Sequence, residues 1–439
     1  MKWPQLLNPN RLGNPGAVAG LEARNQFQRD FDRLVFSTPF RRMHGKTQVF
    51  PLPESDITHT RLTHSLETSC VARSLGSIAG GRLNQEDIDR DSLATIVSAA
   101  ALAHDIGNPP FGHSGEAAIA EYFGDAGKKY IKGLAAAQMA DFTAFEGNAL
   151  GFRLLTRTKP RHSDWPGGLQ LTYATLGAFT KYPKGSLPVG RDGRASEKKF
   201  GYFQSDSETF RDVATELGLA ETPGYGWARH PLAFLVEAAD DICYRIIDLE
   251  DGYRLGLVPF DATFKLLRAV ADLSPYPTDE ATIGGLRDRN EQIGYLRAKA
   301  INNLVFQVAD LFVSRHDAII AGEFDTPLVE LTPACNELAT IKSATAELIY
   351  PHRPVVAIET AGFRVLGGLL ADFLGAIWEH PRSRRGAKIL SLVGPEYLTE
   401  RHDDHYECVM GLTEFVASMT DDFAISSYRV LRGIELPTT

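Results

Sequence analysis

His104 and Asp105 are adjacent, and they end a long apolar run. A turn-forming stretch follows at once, Ile106-Gly107-Asn108-Pro109-Pro110-Phe111-Gly112, with His113 and Glu116 just behind it. An imidazole beside a carboxylate can ligate a divalent cation or move a proton. Neighbours on a helix point roughly 100° apart, so both can touch one ion only near a helix end, which is where Gly107 puts them. Further ligands must come from other segments. His64 and the pair Asp240-Asp241 are the candidates, and chain pattern alone does not choose between the two aspartates. Two His and two Asp make a mixed nitrogen and oxygen site with room for water. Such a set suits Mn, Fe, Co or Mg better than a closed structural zinc site, which prefers Cys.

Helices must carry these groups. Residues 60–79 read as one, with Leu62, Leu66 and Cys70 at helical spacing and Gly80-Gly81 as its stop. Residues 91–105 read as another, with Leu93, Ile96, Val97, Ala100 and Ala101 inward and Asp91 as N-cap. A third begins at 114, and a fourth spans 231–250, opened by Pro231. Residues 286–321, 357–379 and 406–432 are further helical patterns, whereas 183–200 and 274–284 read as loops. Segment 120–145 gives mixed signals and reads as a lid or insert. Strand pairs are scarce, so the fold class is mostly α. Asp240, Tyr244 and Asp248 recur every fourth residue and share one face, drifting about 40° per step. Arg61 precedes His64 by three and shares its face.

The chain has 439 residues and a net charge of −9, which excludes a whole-chain basic footprint for nucleic acid. A polyanionic ligand must be met by a focused basic cluster or by a metal. The four cysteines form no CxxC pair, and Cys70 and Cys243 read as core thiols of a reducing cytoplasm. The N-terminus lacks the apolar stretch of a signal peptide, and no apolar run approaches the ~18 residues of a membrane span. The paired histidines His402 and His405, beside Asp403 and Asp404, read as a solvated segment.

The order His64, His104-Asp105, Asp240 resembles the HD-domain phosphohydrolases. Longer blocks narrow the resemblance to the deoxynucleoside triphosphate triphosphohydrolases, the dGTPase-like proteins. They are Arg29-Asp30-Phe31-Asp32-Arg33 with Phe40-Arg41-Arg42, Lys46-Thr47-Gln48-Val49-Phe50-Pro51, and Thr60-Arg61-Leu62-Thr63-His64-Ser65-Leu66-Glu67. The stretch from His104 to Glu116, Phe145-Glu146-Gly147-Asn148-Ala149, Leu171-Thr172-Tyr173-Ala174-Thr175-Leu176, Lys181-Tyr182-Pro183 and the segment from Glu237 to Tyr244 continue the order. A weaker echo, Ser418-Met419-Thr420-Asp421-Asp422, lies near the C-terminus. Many members carry His at the position of Asn108, which is not a family ligand.

The resemblance implies an HD helical core with an additional helical C-terminal region. Residues 1–58 would pack on a core of 59–256, followed by 257–439. It implies a divalent ion on His64, His104, Asp105 and Asp240, and His113 with Glu116 as the catalytic pair. Gln48, Tyr244 and Asp248 would meet the sugar, Tyr244 excluding a 2′-hydroxyl. Arg61, Lys181 and Tyr182 would meet phosphates and sugar. Glu146 and Asn148 would support the site. The implied reaction converts a dNTP and water to deoxynucleoside and triphosphate, with His113 as proton donor or nucleophile. The competing readings are an HD phosphohydrolase of other nucleotides and a nucleotide-sensing or single-stranded-DNA-binding regulator without catalysis. Family members are commonly tetramers or hexamers under control of a dNTP activator, and some bind single-stranded DNA.

Overall fold

The computed structural model describes the chain outside residues 14–24, 50–58, 84–86, 158–167, 189–193, 225, 275–276, 380, 382, 400–403 and 436–439. Phe50, Pro51, His402 and Asp403 therefore lie outside the described residues. Among the described residues the regular structure is helical apart from one small antiparallel ribbon, Glu221–Thr222 with Gly226–Trp227.

The helices that position the site are α1 (Arg61–Leu83), α2 (Arg90–Ala103), α3 (Gly112–Gly124), α4 (Gly147–Thr156), α5 (Tyr173–Phe179) and α6 (Pro231–Arg254). Behind them come α7 (Arg289–Ser314), α8 (Arg353–Trp378), α9 (His405–Ala417) and α10 (Asp421–Leu431). Two hydrophobic cores organise them. The first joins α1, α2, α6 and α7, and α2 lies at its centre: Leu93, Ile96, Val97 and Ala99 through Ala103 are all buried. A helix apolar on every side must be enclosed on every side. The second core joins α3, α4, α8 and α9 through Ile119, Phe123, Leu150, Leu369, Phe373 and Val409. Segment 120–145 is part of it, since Phe123, Tyr130, Phe142 and Phe145 are buried there. The turn from His104 to Phe111 leaves the first core and enters the second, so its chemistry lies on the seam.

Several local expectations are corrected. The buried face of α1 is His64, Ser65, Thr68, Ala72 and Leu75, while Leu66 and Cys70 are exposed. Apolar spacing pointed to the wrong face because the face toward α2 is built from small and polar residues. Gly80-Gly81 does not stop α1, which runs on to Leu83. Its glycines serve packing: a Cβ on Gly76 would lie 2.8 Å from Ala94 Cα of α2. The cap of α2 is Asp89, which accepts from Ser92 N, and not Asp91. Segment 274–284 runs into a short helix, Glu280–Gly285, whose first turn the Asp279 carboxylate caps. The pattern over 406–432 is two helices, with Thr420 capping the second. Finally, α8 is long and apolar enough by composition to cross a membrane, contrary to the expectation of no such run. Its Val365, Leu366, Leu369, Leu370 and Phe373 are buried in the second core.

Candidate active site

His104 caps the end of α2, and its ring Nδ1 lies 2.7 Å from Ala101 O. A carbonyl only accepts, so the proton sits on Nδ1 and the ring is held in one orientation. Nε2 is buried and has no hydrogen-bond partner among the described residues, 3.5 Å from Asp105 Oδ1 and 3.4 Å from Asp240 Oδ1. His64, from α1, brings its Nε2 to 3.1 Å from Asp240 Oδ1. Donor atoms of His64, His104 and Asp105 all lie within 4.8 Å of one another. Burial disfavours the His104 imidazolium, yet the Asp105 and Asp240 carboxylates raise its pKa to about 9. The cluster thus attracts positive charge strongly. An orphaned imidazole nitrogen among carboxylates fits a divalent cation in chemistry and in arrangement. Asp241 turns elsewhere: it lies 3.8 Å from Arg245 Nη2, and burial raises its carboxyl to about 6. Geometry therefore separates two aspartates that spacing could not.

Asp105 is held on both oxygens. Arg61 Nη1 lies 2.5 Å from Oδ2 and Asn108 Nδ2 lies 2.6 Å from Oδ1. Burial opposes ionisation of this carboxyl, but Arg61 and His104 win and hold it at about 2. The turn that carries it is pressed onto α4. A Cβ on Gly107 would lie 2.1 Å from Gly147 O and from Gly151 N, so neither partner leaves room for a side chain there.

That contact also serves the next pair. Gly147 N donates to Glu116 Oε1 at 2.7 Å, and Glu116 Oε2 lies 2.8 Å from His113 Nδ1. The hydrogen bond to Glu116 raises the His113 pKa against desolvation by the surrounding protein and against the positive Lys199 and Arg61. The His113 side chain is 82% exposed, so its other nitrogen is open to a ligand. Lys199, which sequence reasoning missed, reaches 3.5 Å from Glu116 and 3.1 Å from Glu146. Burial, and then the charge of Glu116, push Glu146 up to about 7, and Asn148 donates to it at 3.2 Å.

Two clefts meet at His113. One, of ≈ 210 Å³, is polar and is lined by His104, Asp105, Asn148, Lys181, Tyr182, Lys199 and Asp240. Glu237 lies 3.4 Å from Lys181 and raises its pKa against burial. The other, of ≈ 340 Å³, is more apolar and is lined by Gln48, Val49, Arg61, Phe111, Tyr244, Tyr350 and Val355. Its size suits a small-molecule site. Gln48 Oε1 is buried there and has no hydrogen-bond partner among the described residues. Tyr244 hydrogen-bonds to Tyr350, whose hydroxyl donates to Asp248 Oδ2 at 3.3 Å. Asp248 lines neither cleft; Tyr350, unforeseen from sequence, stands between it and the open space. No motif spacing could have found Tyr350, which lies 102 residues from Asp248. His405 Nε2 lies 2.6 Å from Tyr130 O at the start of α9, and His405 lines neither of these clefts.

The HD domain family matches residues 61–144, which hold His64, His104, Asp105, His113 and Glu116. A "deoxyguanosinetriphosphate triphosphohydrolase-like protein" of Synechocystis sp. is 44% identical over 99% of this chain and 100% of its own length. The chain belongs to this family. A like-named protein of Pseudomonas aeruginosa is 39% identical over the whole of both chains. The deoxyguanosinetriphosphate triphosphohydrolase of Yersinia enterocolitica is 30% identical over 97% of each. Family membership thus extends over both cores and not only over the HD match.

Proposed function

We propose that this protein is a metal-dependent hydrolase that converts a dNTP, dGTP among them, and water to deoxynucleoside and inorganic triphosphate. The observation that carries the reading is the position of His113, where a cation-attracting polar cleft meets an apolar one. The triphosphate lies in the polar cleft against Lys181, Lys199 and Tyr182, whose charges and hydroxyl neutralise and orient it. The deoxynucleoside lies in the apolar cleft against Gln48, Tyr244 and Tyr350. The bond between α-phosphorus and O5′ then falls beside His113.

A divalent ion held by His64, His104, Asp105 and Asp240 supplies, when bound, charge to oppose the α-phosphate and an acidified water. A water oxygen bonds to the α-phosphorus and gives up its proton to solvent, the bond to O5′ breaks, and its electron pair stays on O5′. His113, oriented by Glu116, delivers the proton that O5′ then needs. Tyr244 closes the space on one face of the sugar, so a 2′-hydroxyl has no room. The names of the relatives support the substrate and the products. Assembly into tetramers or hexamers, a dNTP activator, single-stranded DNA as a partner and a cytoplasmic location are proposed on the family resemblance alone.

The test is to incubate the protein with each dNTP and Mn or Mg in ¹⁸O-water and to resolve the products. The expected products are deoxynucleoside and labelled triphosphate. Monophosphate with pyrophosphate would sink the bond assignment.

A further inference from the structure

Asp421 belongs to the short C-terminal block, and it stands in the wall of the apolar cleft beside Thr47, Gln48 and Phe111. It is the first residue of α10, a position where a carboxylate ordinarily faces solvent and the helix dipole. Here it is only 2% exposed and reaches two other segments. Its Oδ2 accepts from Thr47 N at 2.9 Å and from Thr47 Oγ1 at 2.7 Å. Its Oδ1 accepts from Phe111 N at 3.1 Å. Thr47 is the neighbour of Gln48. Phe111 is the residue before α3, two ahead of His113, and its φ of 64° is in the left-handed region. A non-glycine residue holds that conformation only when its surroundings fix it.

A second tie runs beside the first. Lys46 is buried and donates to Asn108 O at 2.6 Å and to Ala417 O at 3.3 Å. It therefore joins the same three stretches, 46–48, 108–111 and 417–421. Burial pulls the Lys46 ammonium down to about 7, and Asp421 is the largest influence that opposes it. The two ties are thus oppositely charged neighbours. They cross from the seam of the two cores into the C-terminal helices.

We propose that Asp421 is a positioning residue: one carboxylate fixes Gln48 and His113 relative to each other, so the C-terminal helices set the distance between the sugar contact and the proton donor. The proposal rests on the reading of those two residues given above. Asp421 touches no reacting atom. It acts through Thr47 and Phe111.

The test is Asp421→Asn. An amide of the same shape keeps one acceptor oxygen and turns an NH₂ toward a group that can only donate. Misplacement by about 1 Å costs roughly 10²-fold in rate, so kcat/KM for dGTP should fall by about that factor. The decisive readout is the preference for dGTP over its 2′,3′-dideoxy analogue, which lacks the one sugar hydroxyl that the Gln48 amide can meet. If Asp421 aims Gln48, D421N should lower that preference as Gln48→Ala does, and the double variant should be less than additive. A carboxylate that merely supports the fold would lower the melting temperature and the active fraction and leave the preference unchanged. That outcome overturns the proposal. Should D421N not fold, Thr47→Val removes one donor and is read by the same ratio, and an unchanged ratio is again fatal. A wild type inactive on every dNTP removes the underlying reading of the site. An active wild type with an unaltered variant ratio removes this inference alone.

Discussion

Arg61 and Asp105 meet at 2.5 Å, Nη1 to Oδ2, while the other carboxylate oxygen is held by Asn108 and faces His104. The pair joins α1 to the end of α2, and both side chains are largely buried. The arginine that the resemblance assigns to phosphate thus aims a carboxylate of the His64, His104 and Asp105 cluster. Partners of this kind fix a ligand's orientation and basicity.

Arg61→Lys should therefore weaken metal binding by about 10–100-fold. A lysine replaces a planar fork with a point charge and cannot fill the same contacts. Metal titration by calorimetry reads the affinity, and activity should recover in part at saturating ion. If the variant binds metal normally and only KM for the dNTP rises, Arg61 serves phosphate instead.

Metal removal gives a second expectation. Chelation should abolish hydrolysis, and Mn or Mg should restore it. An ion present at 100 times its Kd stabilises the folded state by about 2.7 kcal/mol. Thermal melts across an ion series should show that rise, and His104→Ala should not. The helical signal in circular dichroism should stay constant throughout. The proposed ligands lie on α1, at the end of α2 and on α6, whose core is closed by apolar burial that needs no ion.

The sequence made some of this legible and hid the rest for physical reasons. His104-Asp105 stood out because polar residues ended an apolar run, and His64 and Asp240 lay in strongly helical segments. The face of α1 was misread because Gly76, Ser65 and Thr68 bury a surface without apolar side chains. Glycine read as a stop signal was in fact a contact surface. Lys199, Tyr350 and Asp421 are brought in by tertiary contacts 83, 102 and 310 residues away in the chain. No periodicity carries such information. Asp421 was visible only as part of a weak block whose role the spacing could not supply.

Close packing of the turn is testable by a matched pair of glycines. Gly107→Ala places a methyl 2.1 Å from backbone atoms of α4, which have no flexible end to swing away. It should cost about 1–3 kcal/mol or more and lift the turn from Gly147, loosening Glu116. Gly284→Ala, with nothing within 4 Å of its Cβ, should be neutral or stabilise by up to ~1 kcal/mol. Urea melts of the two variants compare them directly. Equal stabilities would show that the turn yields more easily than its contacts indicate.

The proton donor makes the sharpest prediction. The Glu116 hydrogen bond raises His113, burial pulls it down, the Glu116 charge raises it again, and Lys199 and Arg61 lower it. The net direction is up. A donor works while protonated, so activity should be present at low pH and be lost as pH rises through the raised pKa. In Glu116→Gln the negative charge is gone, the imidazolium is less favoured, and the alkaline limb of kcat/KM should move to lower pH. In Lys199→Met a repelling cation is gone, and the limb should move to higher pH. His113 is 82% exposed at its side chain, so both shifts should be modest and should shrink with added salt. His113→Ala should remove the limb and lower kcat by about 10²–10⁴-fold. A limb that stays in place in Glu116→Gln, or moves up, would falsify the assignment of His113 as donor, because among the described residues Glu116 is the hydrogen-bond partner of its Nδ1, at 2.8 Å.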